Sequence, residues 1–479
     1  MTSRPLHDWS ATELVGAYAA RQLSPVEVTR AVLAQIERWE PRLHALYALD
    51  AEAALAQARA SEARWLQGEP LLGPQDACLD GVPATLKENI ATRGTPMPLG
   101  SAASELLPAA ADAPPAARLR EAGAVLLGKT TMPDYGMLSS GLSSFHATTR
   151  NPWDLGKNPG GSSAGAAAAA AAGYGPLHVG TDIGGSVRLP AGWCGIFALK
   201  PSLGRIPIQP PFAGRVAGPM TRCVADAALL MAHLSRPDWR DGMSLPWQDI
   251  AWQRLDGIEL KGLRIGLMLD AGWGLPVEPE IAAAVQAAAH AFEAAGAHLE
   301  PLGPCSTRAM IDGLDNFWRM RSWLDISALP EARRQQVLPY IRDWVARGEH
   351  LSAAELFHGY SQMAALRDAA IAASEPYDYV LSPVSPVAAS FPADWASPLN
   401  DPERPFEHIA FTLPWNMSEQ PAASINCGYT AVEGLPIGLQ IIGRRHDDLG
   451  VLRMARAWEC MRGAQQPWPA APVMPQEVV

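Results

Sequence analysis

Apolar positions in the amino-terminal third recur at helical spacing. Val28, Val32 and Ile36 lie four residues apart and form one stripe suited to packing on a sheet. Ser24-Pro25-Val26-Glu27 supplies the start of that helix, with a serine cap, proline at the first helical position and a glutamate able to reach back. Ser10-Ala11-Thr12-Glu13 is a second capping box, and a third helix is predicted over Ala51 to Leu66.

Short apolar runs then alternate with helical patterns. Ala124–Leu127, His178–Gly180, Arg264–Met268, His298–Leu302 and Tyr379–Ser382 read as strands. That alternation predicts an α/β fold, a mixed β-sheet flanked by helices on both faces. Residues 236–260, rich in Pro, Trp and Gly, read as a surface connection, and residues 306–373 as helix-rich. No polar linker divides the chain, so one large domain over 1–479 is expected.

Composition narrows the class. Of 479 residues, 48% are hydrophobic and 18% charged, a globular balance. The net charge of −11 disfavours a nucleic-acid partner, since phosphate neutralisation needs clustered cations. No run approaches the ~20 apolar residues of a spanning helix, so no membrane is expected. The residues after Met1 contain no apolar signal core, which predicts a cytoplasmic protein. Six scattered cysteines form neither a C-x-x-C pair nor a zinc-like cluster, so reduced thiols and no metal are expected. Only five of the 38 Lys and Arg residues are lysine. Arginine keeps its proton, whereas a buried lysine can lose it, so a lysine in an apolar segment is a chemical candidate.

Three segments carry candidate chemistry. Pro159-Gly160-Gly161-Ser162-Ser163-Ala164-Gly165 runs into seven alanines, Ala166–Ala172, so its serines are expected where a loop enters a helix. Gly180-Thr181-Asp182-Ile183-Gly184-Gly185-Ser186-Val187-Arg188 places two glycines before a serine. That arrangement lets successive N–H groups aim into one space beside an exposed hydroxyl. Asp182 and Arg188 flank the loop and can pair to hold it. Lys87 ends the mostly apolar run after Asp80; to serve as a base near neutrality its pKa must fall by about 3 units, roughly 4 kcal/mol.

Two literal motif matches point elsewhere. Gly123 to Thr130 satisfies G-x-x-x-x-G-K-[ST], but its central Ala-Val-Leu-Leu reads as a buried strand and not a phosphate loop. Gly161-Ser162-Ser163-Ala164-Gly165 satisfies G-x-S-x-G, which keeps an α/β-hydrolase-type esterase with Ser163 as nucleophile as a rival reading.

Taken together, the run from Gly160 through Pro201 resembles the amidase-signature family, as do Gly81-Val82-Pro83 to Asn89 and Leu119–Met132. Gly218-Pro219-Met220, Tyr377–Pro383 and Leu435–Gln440 extend the likeness in family order, with a signature core over about 75–235. The resemblance implies a single α/β/α domain and a cofactor-free, metal-free hydrolase that cleaves an amide C–N bond, with carbamates and esters also suited to the chemistry. It assigns Ser186 as nucleophile, Ser162 as a bridging serine on an unusual cis peptide, and Lys87 as base. The backbone amides of Ile183, Gly184, Gly185 and Ser186 become the oxyanion hole, with Ser163 in support. Ala164 departs from the family's usual glycine but removes no reacting group. Gly136, Met137, Leu138 and Trp193 lie near the motifs and are candidates for the acyl pocket, as are Trp318, Trp323 and Trp415. The expected partner is a small amide-type substrate, with a homodimer among the permitted states. An amidotransferase-like subunit, working in a complex on acylated tRNA, shares the same residues and is the other alternative.

Overall fold

Both capping boxes form. In the computed structural model, which describes residues 4–472, Ser10 and Glu13 exchange hydrogen bonds at the start of the helix Ala11–Ala19. Ser24 and Glu27 do the same for Pro25–Leu43. Val28, Val32 and Ile36 are buried on the inner face of the second helix, and the third helix spans Ala51–Gln67.

Eleven strands form one sheet. In chain order they are β1 (Leu46–Tyr47), β2 (Pro83–Lys87), β3 (Val125–Thr130), β4 (Leu177–Asp182), β5 (Phe197–Lys200), β6 (Val216–Thr221), β7 (Arg264–Leu267), β8 (His298–Pro301), β9 (Tyr379–Pro383), β10 (Ala422–Tyr429) and β11 (Pro436–Gly443). Their spatial order is β1-β3-β2-β4-β6-β5-β10-β11-β9-β7-β8. β2 pairs in parallel with β3 and β4, and β7 with β8 and β9. The centre, from β4 through β6, β5, β10 and β11 to β9, is antiparallel. The sheet is therefore mixed, with helices on both sides, as the alternation predicted. Every residue of β4, β9 and β11 is buried, so these strands show no polar alternation.

Residues 236–260 hold no helix or strand and run over the surface, but buried Trp252 and Leu255 pin them to the core. Within the helix-rich stretch 306–373 lie the helices Arg308–Ser327, Glu331–Arg334 and Pro339–Ala346 and most of Ala353–Ser374. Its residues Trp318, Trp344 and Leu314 share an apolar cluster with Leu138, Leu189 and Ile409, which roofs the strand ends. No helix among the described residues is long and apolar enough to cross a membrane.

The alanine run becomes the helix Ala164–Ala172, buried along its whole length. Small side chains let it lie close to β2, β3, β4 and β6 at once. Gly165 marks the tightest approach: a Cβ there would stand 2.3 Å from the Ala45 carbonyl oxygen. This packing fixes Ser162 and Ser163 directly over the ends of β2 and β4.

Candidate active site

Parallel neighbours β2 and β4 end side by side, and the site is built on their carboxyl ends. Lys87 is the last residue of β2, with no exposed surface. Its Nζ donates to Ser162 Oγ at 2.7 Å and Ser163 Oγ at 3.0 Å. Burial pushes the Lys87 pKa well below its ordinary value, and the Arg215 charge pushes the same way against Asp182 and Glu88. The amine is thus biased toward its neutral form and in contact with two hydroxyls.

The Gly161–Ser162 peptide bond is cis. Ser163 Oγ also donates to the Thr181 carbonyl at 3.1 Å and accepts from the Thr181 N–H at 3.2 Å, tying the serine loop to β4. Ala164 is the first residue of its helix, buried and at negative φ, so its methyl group is accommodated.

After β4 the chain turns through Ile183–Val187 around the Asp182 carboxylate. Asp182 accepts the N–H groups of Gly185 (2.8 Å) and Val187 (3.1 Å), two hydrogen bonds from the Arg188 guanidinium, and one from Asn416. Burial by itself would raise this carboxyl, but the Arg188 charge and hydrogen bonds, with the Asn416 bond, hold it far below the usual range. Arg188 also donates to the Thr412 carbonyl and to the Asn416 and Gln440 side chains. The pair is fully buried, so it is an internal clamp on the loop and not a surface ion pair. Gly185 adopts φ +127°, and a Cβ there would lie 2.5 Å from Thr412 Oγ1.

One sequence assignment changes. The Gly185 amide, grouped with the oxyanion donors, instead donates to the Asp182 carboxylate. The amides of Ile183, Gly184 and Ser186 have no acceptor among the described residues. These three residues and the Ser162 side chain border a cavity of about 620 Å³. The Ser186 hydroxyl likewise has no hydrogen-bond partner among the described residues.

Gly136, Met137 and Leu138 line the cavity, as does Trp318. Trp193 does not. It is buried on the far side of the short helix Arg188–Cys194, against Phe391 and His408, with its indole N–H on the Val387 carbonyl. Trp415 is likewise core, and Trp323 packs against the apolar cluster without reaching the cavity.

Neither motif rival finds its structure. Lys129 sits within β3, its Nζ bonded to the Ile90 carbonyl and Thr92 Oγ1. Ser163 is fully buried, follows no strand and does not border the cavity. Among the described residues no cluster of three His, Cys, Asp or Glu side chains is placed to hold a metal ion. The supporting Thr412 and Asn416 carried no sequence signal, being isolated polar residues far downstream of the loop they brace, and Gln440 closes a stretch of family likeness that gave no hint of this contact.

A mixed sheet whose strand ends present a buried amine, two hydroxyls and free amides beside a cavity is the layout of a hydrolase. A family model described as Amidase matches residues 27–452, and the chain belongs to that family, the amidase-signature hydrolases of amide C–N bonds. It is 34% identical to one of the subunits of the glutamyl-tRNA(Gln) amidotransferase of Solidesulfovibrio magneticus, over 93% of this chain and 96% of that protein. It is 33% identical to an acylamidase of Rhodococcus erythropolis, over 98% of both chains. The solved structure of a bacterial aryl acylamidase of the amidase-signature enzymes superposes with a TM-score of 0.86 at 30% identity, covering 96% of this chain and 97% of that one. The peptide amidase from Stenotrophomonas maltophilia gives 0.83 at 26% identity, over 98% of this chain and all of that one.

Proposed function

We propose that this chain hydrolyses linear carboxylic amides of small molecules through an acyl-enzyme on Ser186. The observation that carries the reading is Lys87 Nζ, buried and 2.7 Å from Ser162 Oγ, on the cavity that Ser162 and Ser186 share. Neutral Lys87 accepts a proton from Ser162 as Ser162 takes one from Ser186, and Ser186 Oγ attacks the carbonyl carbon. The oxyanion forms against the amides of Ile183, Gly184 and Ser186, already aimed before charge develops. The proton returns along the same path to the leaving amine, the C–N bond breaks, and water then hydrolyses the ester on Ser186. Gly185 takes no direct part; its amide keeps the loop folded on Asp182.

Ser186→Ala tests this. Turnover of any amide, carbamate or ester that the wild type accepts should fall at least about a hundredfold. Undiminished turnover would end the proposal. Loss of activity in Ser163→Ala with survival in Ser186→Ala would restore the esterase alternative.

The amidotransferase relatives support a second reading, in which the same residues serve a transferase that works in a complex on acylated tRNA. Purification from native cells decides between them. A chain that turns over small amides alone fits hydrolysis, whereas co-purifying partner proteins and a requirement for them fit the transferase.

A further inference from the structure

The cavity also contains two guanidinium groups that form no ion pair with a carboxylate among the described residues. Arg215 lies just before β6, and Arg321 on the helix Arg308–Ser327; both line the cavity that Ser186 opens into. Other arginines of that helix are paired, Arg308 with Asp312 and Glu407, and Arg319 with Asp315. Arg321 makes no ion pair among the described residues, and its Nε is buried with no hydrogen-bond partner. Its guanidinium is held over the Phe212 ring, 4.8 Å from the centroid. Among the described residues Arg215 makes only a long contact of 3.5 Å with the Pro210 carbonyl. Burial disfavours its charged form, and the Arg321 charge adds to that, so the two cations feel each other.

Two partly desolvated like charges side by side cost free energy unless an anion joins them. Among the described residues no carboxylate forms an ion pair with either of them. Asp182 borders the cavity but is neutralised by Arg188. Asp325 borders the same cavity one turn along from Arg321 and its charge favours the Arg321 cation, but the two form no ion pair. In a chain of net charge −11, a cavity with this cationic pair is a local site of attraction for an anion. We infer that Arg215 and Arg321 form an anion subsite, and that the substrate is an amide carrying a carboxylate. This rests on the hydrolase reading above and names its substrate class. Planar guanidinium groups bind carboxylates through paired hydrogen bonds, and the Phe212 face fixes the plane of one of them.

The test compares matched amides. Glutaryl p-nitroanilide against its methyl ester places the charge on the acyl side; 4-acetamidobenzoate against acetanilide places it on the amine side. In the wild type, one carboxylated member should exceed its neutral partner at least about tenfold in kcat/KM. Arg321→Gln should reduce that ratio by about tenfold, and Arg321→Lys should retain part of it. Arg321 gives the cleaner reading, because the charges acting on Lys87 are those of Arg215, Asp182 and Glu88. No preference in either wild-type pair, or a preference that survives in Arg321→Gln, overturns the subsite. If none of the amides is hydrolysed, the function proposed above is in question and the subsite is decided by calorimetry with glutarate and benzoate. Binding to the wild type that is lost in Arg215→Gln/Arg321→Gln supports it, and no binding to the wild type overturns it.

Discussion

Three lysines are buried in this protein close to the sheet, and only one of them meets a pair of serine hydroxyls. Lys129 donates to a carbonyl and to Thr92, Lys200 to the Pro201 carbonyl, and Lys87 to Ser162 and Ser163. Burial therefore does not single out a base; contact does. If Lys87 acts as base, kcat/KM on a neutral amide rises with pH as its ammonium loses the proton, and levels off well below pH 10.5, its ordinary value. Lys87→Met should abolish turnover. Arg215→Gln removes a positive charge that depresses Lys87, so it should move the rising limb to higher pH, read from pH–rate profiles of the two enzymes. An unmoved limb would show that another group titrates. At this scale much was legible, because Lys87, Ser162 and Ser186 stand in segments whose composition already suggested loops and strand ends. Trp193 and the Gly185 amide were misplaced for one reason: nearness along the chain does not give the direction in which a side chain or N–H points.

The β4–helix turn behaves as a unit because one carboxylate organises it. Asp182 gathers two backbone amides, Arg188 and Asn416, while Arg188 extends the network to Thr412 and Gln440. Removing one partner of a buried pair leaves the other charged and unsatisfied. Arg188→Met should therefore cost about 3–5 kcal/mol of stability by denaturant unfolding, and it should lower turnover as the Ile183–Ser186 loop loses its form. Arg188→Lys, which keeps charge but not the fork, should recover only part of both. Full activity in Arg188→Met would show that the loop holds its shape without the clamp. The pairing of Asp182 with Arg188 was visible in the sequence, six residues apart. Its depth was not, because Asn416 and Gln440 arrive from β10's flank and from β11. The central strands were hidden similarly: β10 is Ala-Ala-Ser-Ile-Asn-Cys-Gly-Tyr, with little β-branched character, and becomes a strand because β5 and β11 pair with it on both sides.

Across the whole molecule, the fold class was readable because alternating strand and helix patterns admit few layouts, while the order of eleven strands depends on long-range pairing that no local pattern encodes. The same burial that builds this sheet gives the protein an unusual dependence of stability on pH. Burial lowers Lys129 and Lys200 to about 7 from an ordinary 10.5. Above pH 7 the unfolded chain holds these protons and the folded chain does not, so stability rises with pH, by up to about 1.4 kcal/mol per unit for each group. Buried His178 and His233, lowered to about 4, have lost their protons before this window opens, and Asp226, raised by burial to about 7, is largely ionised within it. Above pH 9 the sign reverses. Burial raises the thiols of Cys78, Cys194, Cys305 and Cys427 above their ordinary 9.0, so the unfolded chain sheds protons that the folded chain keeps. Stability should therefore climb from about pH 7, crest near pH 9 and decline beyond it. Urea unfolding at successive pH values measures the curve, and Lys200→Met should flatten its rising side while leaving the decline. A wild-type curve that falls steadily from pH 7 to pH 9 would mean that these ammonium groups stay charged inside the sheet, with carbonyl contacts strong enough to offset their desolvation.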